Sequence, residues 1–168
     1  MPNGSVDVAY KAPAVFEFPW SESTLEIVFK RLGLYADYSN MFYNYNGVES
    51  LSPMEYIGQG GINWYTTTNV STTNRPALDF YSANDVPYTA SYQYNNVIVN
   101  AEKHGITSKS NFCRPVGGNT MAIGSRVGYP SGRYVGYIYS IRGYSRLLTD
   151  EERLYNQQID NKRFGLGL

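Results

Sequence analysis

The stretch Tyr134-Val-Gly-Tyr-Ile-Tyr-Ser-Ile-Arg-Gly-Tyr-Ser-Arg-Leu-Leu-Thr-Asp-Glu-Glu-Arg-Leu-Tyr-Asn-Gln-Gln-Ile-Asp-Asn-Lys-Arg-Phe164 decides the fold. It opens with aromatic and β-branched residues, which suit a pleated, half-buried strand. Gly136 lets that strand approach its neighbour closely. Ile138 and Ile141 stand three apart, which breaks alternation; either a bulge lies between them or both faces are covered. Gly143 is expected to break the strand. A helix start signal follows: Thr149 can cap, and Glu152, three residues on, can reach back to close a capping box. Asp150 and Glu151 fall in the first turn, where the macrodipole favours negative charge. Leu154 and Tyr155, with Gln158 and Ile159, give an i, i+4 face predicted to lie on a sheet. Gly165 and Gly167 follow the helix. Arg142 and Arg146 are placed to tie the strand end to acidic or carbonyl groups near the helix.

Working outward, residues 23–32 read as the clearest early strand. Leu25, Ile27 and Phe29 share one face and Glu26, Val28 and Lys30 the other, with Gly33 closing the strand. Further strands are expected at 14–18, 41–45, 54–57, 62–66, 76–81, 106–110 and 120–124. Residues 86–93 and 96–101 pair as a hairpin around Tyr94 and Asn95. Turn chemistry sits at Asn46-Gly47, Gly58 to Gly61, Ser82 to Asp85 and His104-Gly105, and loops at 67–75, 111–118 and 125–132. Some ten to twelve short strands and one late helix predict an all-β, antiparallel sandwich.

The chain has 168 residues, enough for one domain with a real core. Its 14 basic and 14 acidic side chains balance, which disfavours nucleic acid or an anionic membrane as partner. No run of 18 apolar residues exists, so no membrane-inserting helix is expected. Cys113 is the single cysteine, so no internal disulfide can form, and it reads as a buried small hydrophobe.

The closing residues resemble a known pattern. Met121-Ala122-Ile123-Gly124, a polar loop, then Gly136 through Glu152 are similar to the closing signature of concanavalin A-like, laminin G-like jelly-roll domains. Asn156, Ile159-Asp160 and Arg163-Phe164-Gly165 resemble versions of that domain in bacterial surface proteins and phage structural proteins. Thr24 to Lys30 is similar to an early strand of the same family. The resemblance implies a jelly roll over residues 14–168, with 1–13 as an N-terminal arm or edge strand. It implies attachment to a larger surface or virion protein, hence a location outside the cell.

Chemistry is sparse. Glucan hydrolases of this fold carry a Glu-x-Asp-x-x-Glu type run, because retaining hydrolysis needs two carboxylates about 5 Å apart. The chain has no such run: Glu22 and Glu26 straddle a strand start, and Asp150 to Glu152 belong to a helix cap. His104 and Cys113 lack the context of a nucleophilic dyad. No catalytic residue is expected. Some relatives hold Ca²⁺ at the sandwich rim, and Asp79 with Asn84-Asp85 are the nearest oxygen donors. They form no recognisable ligand set, and an Asx-turn accounts for Asn84-Asp85. No cofactor is expected.

The functional signal is aromatic, with 17 tyrosines in the chain. Asn63, Trp64 and Tyr65, with Tyr92 and Tyr94, mix flat rings with amides. A ring stacks on the apolar face of a sugar while amides bond its hydroxyls. The plainer reading is that alternating tyrosines cover an outer sheet face. Two functions are expected from this reading. The first is a non-catalytic, lectin-like adhesion module that binds a glycan or another surface ligand. The second is a structural virion subunit, a fibre, head-decoration or tail protein, whose sandwich contacts copies of itself.

Overall fold

The alternation seen in the early strand organises the first sheet. In the computed structural model, which describes residues 9–10, 24–34, 38–45, 50–56, 62–67, 73–74, 82–93, 96–100, 102–105, 120–124 and 133–168, that strand is β2 (Thr24–Leu34). It pairs antiparallel with β8 (Pro87–Gln93) on one side and β12 (Tyr134–Tyr144) on the other. With β9 (Asn96–Val99) and β10 (Glu102–Gly105) the order is β10-β9-β8-β2-β12. Leu25, Ile27 and Phe29 point inward, where they meet Tyr88, Ala90, Tyr92 and Val99. The predicted hairpin forms, with Gln93 opposite Asn96.

The second sheet runs β1 (Ala9–Tyr10), β11 (Thr120–Ile123), β4 (Phe42–Tyr45), β5 (Ser50–Tyr56), β6 (Ile62–Thr67), β7 (Thr73–Asn74), with β3 (Tyr38–Asn40) also on β5. Met41 and Phe42 bring this sheet to the first. Both are buried and belong to the same core cluster as Ile27 and Phe29. Full burial of a side chain such as Phe29 or Phe42 contributes about 2–3 kcal/mol each. The two sheets therefore face each other across one apolar layer, as the sequence pattern predicts for a sandwich.

Strand β12 carries the bulge that the Ile138–Ile141 spacing allows. Ile138 pairs with Phe29 and Ser140 with Val28, leaving Tyr139 without a partner. The shift restores alternation, so Ile138 and Ile141 both pack on the core. A second shift, between Val135 and Gly136, skips Leu32 on the facing strand. Gly136 sits at that shift. A Cβ there would overlap the Lys30 carbonyl oxygen and lie 3.0 Å from the Arg31 Cα.

Several boundaries differ from the sequence reading. Gly33 does not close β2, which runs on to Leu34, because the Leu32 bulge absorbs the irregularity and Gly33 stays paired with Val135. Gly143 does not break β12; it lies in the ladder opposite Leu25. His104 and Gly105 form no turn: they pair with Val97 and Asn96 in β10. Part of the expected loop at 67–75 is an edge strand, β7. β5 is longer than expected and contains Pro53. That residue pairs with Trp64 but falls where the other neighbour changes from β4 to β3, so its missing N–H interrupts no ladder on that side. The strands expected at 14–18, 76–81 and 106–110 lie outside the described residues. So do the turns at 46–47 and 58–61, the loops at 111–118 and 125–132, and Cys113.

Helix α1 (Asp150–Phe164) starts as the sequence predicts. Thr149 Oγ1 accepts from the Glu152 N–H at 3.2 Å, and the Thr149 N–H donates to Glu152 Oε2 at 3.0 Å. It ends at Gly165, whose φ of 63° is left-handed and whose N–H donates to the Asn161 carbonyl at 2.8 Å. Gly136→Ala is expected to destabilise the fold by about 1–3 kcal/mol, because backbone on the facing strand must move. Gly33→Ala, whose Cβ would meet Val135 Cγ1 at 3.9 Å, is expected to stay within about 0.5 kcal/mol of the parent. Urea unfolding of the two variants checks the contrast.

Candidate functional site

The outer face of the five-stranded sheet carries a polar row rather than an apolar one. Glu26, on β2, is 5% exposed, and its neighbour across the strand pair, Ser91, donates to Glu26 Oε1 at 2.9 Å. Arg142, on β12, faces Glu26 by register and reaches its Oε2 at 3.2 Å. The same guanidinium grips both oxygens of Asp160, with Nη1 to Oδ1 at 2.8 Å. Asp160 is 1% exposed and comes from the helix. Asn156, one turn earlier, donates to Glu26 Oε2 at 2.8 Å and to the Tyr144 hydroxyl at 3.0 Å.

Helix α1 is thus held on the sheet through its polar side. Burial opposes the charge of Arg142, yet the Asp160 hydrogen bond and the charges of Glu26 and Asp160 hold it above its ordinary pKa. Burial, followed by the charge of Glu26, pushes the Tyr144 hydroxyl up. The predicted packing of Leu154, Tyr155 and Ile159 on a sheet is overturned: they are 47%, 63% and 43% exposed. The reason is the partner surface. Glu26 and Arg142 need charged and hydrogen-bonding partners, so the stripe Arg153, Asn156, Asp160 turns inward instead. That i, i+3, i+7 polar spacing was the available signal.

The connection from β12 to α1 is equally tied. Thr24 is 1% exposed; its hydroxyl donates to the Arg146 carbonyl at 3.1 Å and accepts from the Leu148 N–H at 3.0 Å. Arg146 binds Glu152 through two hydrogen bonds of 2.6 Å. That fork, with the Thr149 backbone bond, lowers the Glu152 carboxyl to about 2. In the first turn Glu152 closes the cap and Asp150 pairs with Arg153, while Glu26 and Asp160 share one guanidinium. Between helix and sheet lies a cleft of about 330 Å³ whose lining includes Val28, Thr89, Ile98, Leu154 and Gln157.

The sequence-derived binding group is divided by the fold. Asn63, Trp64 and Tyr65 run consecutively along β6, opposite Met54, Pro53 and Ser52. Tyr92 lies in the other sheet and is 0% exposed, in the core beside Leu25 by register. Its ring is not open to a sugar, and its place in a binding face is overturned. Its i, i+2, i+4 spacing with Ala90 and Tyr88 was the sign of a core face. Tyr94 and Asp79 lie outside the described residues. Asp85 is engaged by Lys30 Nζ at 2.8 Å.

One aromatic surface group was missed. Tyr137 is 52% exposed and stacks beside Tyr139, with ring centres 6.1 Å apart. Tyr139 in turn meets Phe164 of the helix at 5.4 Å. Lys30 Nζ lies 5.4 Å from the Tyr137 ring centre, which adds a cation to the ring face. The Tyr-x-Tyr spacing was the available signal, because strand alternation puts residues i and i+2 on one face.

No family model and no curated protein matches the chain. Solved structures do. The CBM40 module of the Ruminococcus gnavus IT-sialidase, bound to α2,3-sialyllactose, superposes with a TM-score of 0.66 at 15% identity, covering 85% of each chain. Domain 4 of AbnA, an extracellular arabinanase from Geobacillus stearothermophilus in complex with arabinotriose, gives 0.62 at 16% identity over 79% of this chain and 64% of that one. A heptameric SAP-like pentraxin from Limulus polyphemus gives 0.54 at 13% identity over 86% and 78%. The fold is the concanavalin A-like jelly roll. The likeness is one of architecture, since so few residues are shared.

Replacing Arg142 by Met leaves Glu26 and Asp160 buried without their shared cation. A loss of about 3–5 kcal/mol is expected, with partial recovery in the double variant R142M/D160N. Denaturant titration of both checks it. The capping carboxylate sets an acid limit. Because the folded pKa of Glu152 lies below its unfolded value, its stabilisation is complete above about pH 4.5 and is lost as pH falls toward 2. Helical ellipticity followed through that window should fall, and Glu152→Gln should flatten the dependence.

Proposed function

We propose that this domain is a non-catalytic glycan-binding module that takes its ligand on the seven-stranded sheet, around Asn63, Trp64 and Tyr65. The observation that carries this reading is the division of labour between the sheets. The outer face of the five-stranded sheet is taken up by α1, clamped through Glu26, Arg142 and Asp160. Among the described residues no helix covers the other sheet. Its β6 carries Asn63, Trp64 and Tyr65 in succession; strand alternation gives one face the indole and the other the phenol with the amide, and a ring on either face can stack on a sugar.

The comparisons support a saccharide as the ligand class, because the CBM40 module and the AbnA domain are seen with sialyllactose and arabinotriose. The lack of a Glu-x-Asp-x-x-Glu run in the sequence supports binding over hydrolysis, and Glu26 and Asp160 are held by one arginine. The likeness of the C-terminal tail to surface and virion proteins supports a role as a displayed part of a larger extracellular protein.

A glycan array that includes sialylated lactose and arabinan oligosaccharides tests the reading. Trp64→Ala is expected to weaken binding at least about tenfold. Tyr137→Ala, on the other sheet, is expected to leave it unchanged. Loss with Tyr137→Ala alone would move the ligand to the five-stranded sheet, and no binding to any glycan would end the proposal.

A further inference from the structure

The helix turns its polar side to the sheet and leaves an ordered ridge outside. Glu151, Tyr155, Ile159 and Arg163 recur every four residues, and all four are exposed. Such i, i+4 rows form the ridges with which helices pack on one another. Read along α1, the ridge is acid, aromatic, aliphatic, base. The two apolar members are 63% and 43% exposed. Among the described residues nothing packs over them. The helix beneath is rigidly seated by Arg142 and Asn156, so the ridge is presented in a fixed orientation.

We propose that this ridge is the seat of a two-fold contact between two copies of the chain, with the α1 helices antiparallel and the axis passing between Tyr155 and Ile159. The charge order selects both partner and direction. In an antiparallel pair, Glu151 meets the partner's Arg163, and Tyr155 meets the partner's Ile159. Arg163 then meets the partner's Glu151, because a two-fold contact uses the same patch twice. Parallel helices would set Glu151 on Glu151 and Arg163 on Arg163, which is repulsive. The helix is about 22 Å long, so the two ion pairs flank one central apolar layer. A single helix pair buries less than the ~1,200 Å² of a standard stable interface. The contact is therefore weak between free domains and grows when copies are tethered in one assembly. It does not depend on the glycan reading.

The test is a concentration series from ~20 µM to ~1 mM followed by amide NMR and sedimentation equilibrium. Association with shifts confined to α1 is the expected result, and Ile159→Asp should abolish it. Glu151→Arg and Arg163→Glu should each weaken association at least about tenfold. The double variant E151R/R163E should return it to within about threefold of the parent, since both cross-pairs reform with signs exchanged. Both changes oppose the helix macrodipole, so an effect through helix stability would deepen in the double variant rather than recover. A monomer throughout the range, shifts outside α1, or an unrescued double variant would each overturn the proposal.

Discussion

Everything at the C-terminal end of this molecule depends on one guanidinium. Arg142 stands near the C-terminal end of the β12–β2 ladder and reaches two carboxylates, one from the neighbouring strand and one from the helix. A buried carboxylate needs charged and hydrogen-bonding partners, and side by side the two acids would repel. With the arginine between them, the helix can lie on the sheet by its polar side. Asn156 and Ser91 also donate to Glu26, so both of its carboxylate oxygens are hydrogen-bonded. A junction of this kind is directional. It fixes the rotation of the helix about its own axis, which an apolar stripe would leave looser.

That rotation is where sequence reading and structure part. Local rules were legible: the alternation of Leu25, Ile27 and Phe29, the capping box at Thr149 and Glu152, and the strand anomaly at Ile138 and Ile141. Each rests on residues within a few positions of one another. The inward face of the helix was not legible in the same way. The choice between the stripe through Tyr155 and that through Asp160 depends on a partner more than a hundred residues away, Glu26. Apolar periodicity alone favours the wrong stripe. Tyr92 failed for a related reason. Tyrosine suits either a core or a wet face, and only the pairing of β8 with β2 decides that Tyr92 lies under Leu25. Gly33 and Gly143 illustrate a third case, since a glycine kept in register by its neighbours does not end a strand.

The two sheets serve different ends. The five-stranded sheet spends one face on the core and the other on the helix. The larger sheet shares the same core through Met41 and Phe42, and it carries the indole-and-amide run on β6. An architecture shared at 13–16% identity with a sialidase module, an arabinanase domain and a pentraxin shows how little of the sequence the jelly roll requires. What it requires here is visible: an alternating apolar layer, a close approach at Gly136 and a strand that shifts register once on each side of it.

The bulge at Tyr139 has a consequence for the outer rim. β12 is the last strand of its sheet among the described residues, and its free edge would otherwise be a straight row of unsatisfied peptide groups. The unpaired residue kinks that row, and the stacked rings of Tyr137, Tyr139 and Phe164 stand beside it. An incoming strand would find no continuous register to follow. Neighbouring copies can therefore lie edge to edge without their sheets fusing into one.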